Sequence, residues 1–123
     1  MANEWHNPEI RLFEVKTSID LHGWWNYANL AAPCWRLYWH DSPGAFISYA
    51  GKTHALTPDN VFLIAPNTNF DSSAPGHARQ YYVHFAAGQP YSNIAPGIFA
   101  LPCESKMLRP LLASAMEISG ENS

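Results

Sequence analysis

GAFISYAGKTHALTPDNVFLIAPNTNF at residues 44–70, followed by QYYVHF at 80–85, holds three apolar runs of strand length, at 45–49, 61–65 and 80–85. Gly51-Lys52, Pro58-Asp59-Asn60, Pro66-Asn67-Thr68-Asn69 and Ala74-Pro75-Gly76 separate and bound them. β-Branched and aromatic residues flanked by Gly, Pro, Asn and Asp are what half-buried strands and tight turns require. Short strands at this spacing predict a β-sandwich or β-barrel. Gly51 tolerates positive φ and so closes a hairpin onto residues 53–56. Pro66 ends the run at 61–65, because proline has no N–H for a central ladder.

Working upstream, WRLYWH at 35–40 reads as another strand, turned into the next by Asp41-Ser42-Pro43-Gly44. EIRLFEV at 9–15 is an imperfectly alternating first strand, and residues 1–8, ending at Pro8, read as a flexible arm carrying Trp5 and His6. Downstream, GIFAL at 97–101 is a last strand. Met107, Leu108, Leu111, Leu112, Ala115 and Met116 then recur at helical spacing. Pro110 is tolerated near a helix start, so that helix is expected to begin around Arg109.

A chain of 123 residues, 47% hydrophobic and 14% aromatic, is long and apolar enough for one globular domain. The formal net charge is −3 and the seven basic residues are scattered, so no stripe suits a phosphate backbone. Cys34 and Cys103 form no disulfide-dense framework. No basic, then apolar, leader opens the chain, and no apolar run is long enough to cross a bilayer. These features predict a cytoplasmic protein with free thiols and no membrane partner.

Six histidines invite a metal, but there is no His-x-His pair and no Cys-x-x-Cys to fix two ligands together. No Gly-x-Ser-x-Gly elbow and no Gly-rich phosphate loop occurs, and the acidic residues sit mostly in turns and tails. The expectation is a protein that is not an enzyme and carries no cofactor. What remains is a set of aromatic and hydrogen-bonding side chains. Strand alternation puts Gln80, Tyr82 and His84 on one face, and Tyr81, Val83 and Phe85 on the other. The second set reads as sandwich core, and the first faces either solvent or a polar cavity. Likewise Trp39 and Asp41 share a face opposite Tyr38 and His40. An aromatic plate beside amide, carboxylate and imidazole groups suits a small polyhydroxylated ligand.

The run RLYWHDSPGAFISYAGKTHALTPDNVFLIAPNTNF, then QYYVHF, resembles the N-terminal cupin-like sensor domain of AraC-family transcriptional regulators. The resemblance covers roughly residues 35–103. It implies a mainly β fold, a double-stranded β-helix (jelly-roll) barrel over 9–103, with residues 104–123 beginning a helical dimerisation or linker region. It implies a small effector, commonly a sugar, held by Trp39, Asp41, Gln80, Tyr82, His84 and His40, with the arm closing over it and a homodimer as the assembly. Metal-binding members of the wider cupin group carry a later His where Phe70 stands here. The helix-turn-helix motifs that follow in that family have no counterpart in residues 1–123, so DNA binding carries over to no residue of this chain. The rival readings are a small metal-dependent cupin enzyme, of isomerase or dioxygenase type, and a carbohydrate-binding module with surface tryptophans.

Overall fold

The structure is a computed structural model that describes residues 10–89 and 91–103. Among the described residues nine strands follow one another: β1 (Ile10–Asp20), β2 (Tyr27–Leu30), β3 (Trp35–His40), β4 (Ala45–Tyr49), β5 (Lys52–Leu56), β6 (Asn60–Ile64), β7 (Phe70–Ser73), β8 (Arg79–Ala87) and β9 (Ile98–Pro102). A 3-10 turn, Tyr91–Asn93, lies between β8 and β9. The strands form two antiparallel sheets, one ordered β1-β8-β3-β6-β9 and the other β2-β7-β4-β5.

One apolar cluster takes side chains from both sheets: Tyr38, Phe62 and Ile64 from the five-stranded sheet meet Ile47, Leu56 and Phe70 from the four-stranded one. This is the inter-sheet core. A second cluster, Val15, Trp39, Val61 and Val83 with Leu37, Tyr81 and Phe85 against it, draws only on strands of the five-stranded sheet, together with Cys103. It occupies that sheet's other face. The central strand β3 is therefore covered on both faces, which is why five of its six residues are buried.

The predicted strands at 35–40 and 45–49 are present with the same bounds, and those at 53–56, 61–65, 80–85 and 97–101 differ by one or two residues at an end. Strand β1 runs five residues beyond the expected end at Val15. Its polar second half, interrupted by a register shift and by Ser18 at φ 60°, hides the strand pattern. Strands β2 and β7 were not anticipated: YANL carries Asn29 at φ 60°, and FDSS has the composition of a turn. Both are held as ladders by partners distant in sequence. The fold is mainly β with antiparallel sheets, and neither sheet closes on itself as the expected barrel would. The expected arm and C-terminal helix lie outside the described residues.

Two turns meet at one end of the sandwich. Gly76 N donates to Gly44 O at 3.0 Å, and a Cβ at Gly76 would stand 2.9 Å from the Gly44 Cα. Only a residue without a Cβ lets the β3–β4 and β7–β8 connections approach so closely.

Candidate functional site

The β3–β8 ladder sorts the candidate residues. Antiparallel register sets Arg36 opposite His84, Tyr38 opposite Tyr82 and His40 opposite Gln80. The alternate pairs are Trp35–Phe85, Leu37–Val83 and Trp39–Tyr81. Side chains directly opposite in a ladder share a face. The first three pairs point into the space between the sheets, beside the inter-sheet core. The other three point to the outer cluster.

All of these inner residues except His40 line a cavity of about 210 Å³. Arg36, Tyr38, Gln80, Tyr82 and His84 form its floor; Trp24, Trp25, Tyr27 and Leu30 form the opposing wall. Hydrogen bonds to β7 hold that wall in position. Ser72 Oγ donates to Trp25 O at 3.2 Å and accepts from Tyr27 N, and Ala74 N donates to Asn26 Oδ1 at 3.0 Å. The Trp25 ring meets the Tyr38 ring edge-on at 5.6 Å, and Tyr82 also stands edge-on to Tyr38, at 6.5 Å.

Four of the six predicted ligand residues, His40, Gln80, Tyr82 and His84, are on the inner face, while Trp39 and Asp41 are not. The Trp39 indole donates to Pro58 O at 3.0 Å and packs on Tyr81 at 4.9 Å; Tyr81 in turn donates to Asp41 at 3.4 Å. The set Tyr81, Val83 and Phe85, expected in the sandwich core, belongs to the outer cluster instead. Alternation correctly separates faces within each strand, but only the register relates one strand's faces to the next.

His40 sits beneath the cavity floor, 1% exposed, with Nε2 3.0 Å from the Gln80 amide nitrogen. That arrangement needs a neutral ring accepting at Nε2, and Nδ1 has no partner. Burial pushes its pKa down to about 3. His84 is also held below the ordinary imidazole value, by burial first and by the Arg36 charge second, with Glu14 opposing. Glu14 stands 3.8 Å from His84 Nδ1. Burial raises the Tyr38 phenol, and Arg36 partly offsets this.

Arg36 also lines the cavity, and sequence reasoning counted it only among the scattered basic residues. It is 5% exposed, its Nε has no partner, and Nη1 reaches the Tyr38 hydroxyl at 3.5 Å. Its guanidinium carbon lies 5.0 Å from the Phe70 ring centroid, a cation–π contact. The signal was present: an arginine alternating with Tyr38 and His40 in an aromatic strand cannot face water if that strand is central. Trp24, Trp25, Tyr27 and Leu30 were also missed, because HGWWNYANL has no strand periodicity to place it.

Among the described residues, no group of three or more His, Cys, Asp or Glu gathers as a metal site. Both cysteines are free thiols. No helix among the described residues is long and apolar enough to cross a membrane.

No protein-family model matches the chain, and no curated protein matches it by sequence. Solved structures that resemble it include two of ToxT from Vibrio cholerae. Wild-type ToxT of strain SCE256 with an unsaturated fatty acid bound superposes with a TM-score of 0.54 at 12% identity, over 81% of this chain and 44% of that one. A second crystal form of ToxT gives 0.48 at 10% identity, over 90% and 46%. The chain thus spans less than half the length of the solved proteins it matches, and at such identity the likeness is one of fold: the two-sheet architecture described above is similar to that of one part of ToxT.

Proposed function

We propose that this chain is the effector-binding domain of an AraC-type transcriptional regulator, taking a small molecule between its two sheets and passing occupancy to a DNA-binding domain outside this sequence. The observation that carries the reading is the inter-sheet cavity, whose floor joins aromatic rings to buried polar groups. The fold likeness to ToxT, a regulator of that family with a fatty acid in one structure, supports the same reading. Ring faces of Tyr38 and Tyr82 beside the Gln80 amide suit a compact effector with polar edges, such as a sugar or a sugar derivative. Ligand acts on such a switch only through its different affinities for the two arrangements. Dimerisation through residues 104–123 belongs to the same proposal, and sedimentation equilibrium tests it.

The test is a thermal-shift screen over monosaccharides, sugar acids, short-chain and aromatic acids, and divalent metals. Ligand at about a hundred times its dissociation constant adds roughly 2.7 kcal/mol, a shift of several degrees in a domain of this size. Tyr82→Ala is expected to abolish that shift, whereas Trp39→Phe, on the other face, is expected to keep it. Equal loss in both variants contradicts the cavity assignment. Stabilisation by metal alone, with near-stoichiometric metal in the purified protein, would favour the metal-dependent enzyme.

A further inference from the structure

We infer that the effector carries a carboxylate, and that Arg36 is the residue that receives it. The inference rests on the effector-binding reading above and adds the chemical class of the ligand. A guanidinium offers five N–H donors and is never discharged in a protein, so a buried one is ordinarily paired with an acid. Arg36 is not. It is 5% exposed, and no carboxylate among the described residues forms an ion pair with it. Among the described residues its Nε is buried without a hydrogen-bond partner, and its Nη1 makes only a long hydrogen bond, to the Tyr38 hydroxyl. The Phe70 ring supports the cation from below but accepts none of its donors in the manner of an oxygen.

The same side chain lines the cavity, so the missing acid has a place to sit. Carboxylate oxygens match the guanidinium fork, and the pair is strongest where water is excluded. His84, across the ladder from Arg36, is itself held toward its neutral form, which leaves Arg36 as the positive charge at that end of the floor. Apart from the Gln80 amide, the rest of the lining is aromatic or aliphatic: Trp24, Trp25, Tyr27, Leu30, Tyr38 and Tyr82. The space measures about 210 Å³. A compact acid fits: short-chain, aromatic, or a sugar acid. A neutral sugar would satisfy the rings and could accept from Arg36 through a hydroxyl, but it would leave the buried charge without a counter-charge.

The experiment measures binding of matched pairs to the full chain by calorimetric titration: benzoate with benzamide, hexanoate with hexanamide, galacturonate with galactose. The acid of at least one pair is expected to bind about thirtyfold or more tightly than its neutral partner, because the neutral one leaves a buried charge unpaired. Arg36→Met is expected to remove that preference and to raise the melting temperature of the ligand-free protein, since it deletes an uncompensated buried charge. Arg36→Lys, which keeps the charge without the fork, is expected to retain a weakened preference and covers the case in which the Met variant does not fold. Neutral partners binding as tightly as the acids, or a preference for acids that survives in Arg36→Met, overturns the carboxylate assignment while the effector reading stands. No binding by any of the six compounds overturns both.

Discussion

The His40 imidazole is closed off from water, accepts from the Gln80 amide, and has a pKa of about 3 against an ordinary 6.5. In the unfolded chain it titrates normally. Between those values the unfolded state binds more protons, so stability falls as pH falls through 6.5 and goes on falling toward 3. At pH 5 this group alone removes about 2 kcal/mol relative to pH 8. Urea unfolding at the two pH values is expected to show that loss in the wild type and a smaller one in His40→Gln; an unchanged difference would mean that another group carries the acid sensitivity. Arg36 poses the converse problem. It keeps its charge at every pH, so its burial demands a partner, and the cavity beside it is where one fits.

At the scale of elements, the hairpin β4–β5 is closed by Ala50 and Gly51 between the paired Tyr49 and Lys52. Both turn residues have positive φ, 53° for Ala50 and 78° for Gly51, as a two-residue hairpin turn of the favoured hand requires. Alanine is strained there by about 1 kcal/mol. Ala50→Asn is therefore expected to raise stability by about that amount, read as an increase in the denaturant midpoint; a decrease would contradict the turn assignment. Gly76→Ala is expected to destabilise by roughly 1–3 kcal/mol, because its Cβ would press on the Gly44 backbone, where no flexible side chain can give way. These hairpin and turn features were legible from Gly51, Pro58 and the Pro-Gly pairs. So was the separation of Gln80, Tyr82 and His84 from Tyr81, Val83 and Phe85. What could not be read was which face of β8 matches which face of β3, since register arises from pairing across forty or so residues of intervening chain. Alternation alone therefore does not tell that Arg36 and Tyr38, rather than Trp39, share the face of Gln80, Tyr82 and His84.

At the scale of the whole molecule, two facing sheets trap one polar floor between them, and the segment from Trp24 to Leu30 roofs it through bonds to β7. The floor belongs to the larger sheet and the roof to the smaller one or the turn that leads into it, so a bound molecule would bridge the two sheets. Occupancy would then tie their relative position to the ligand, the kind of coupling a regulatory domain needs. The most direct test fills the cavity from its roof. Leu30→Trp adds a bulky ring to a half-buried wall position that packs against the edge of the inter-sheet core, so the melting temperature is read beside the affinity. Calorimetric titration of the tightest acid against both proteins is predicted to give binding in the wild type and none in the variant, with the two melting within a few degrees of each other. Equal affinity in both would place the ligand elsewhere and contradict the account.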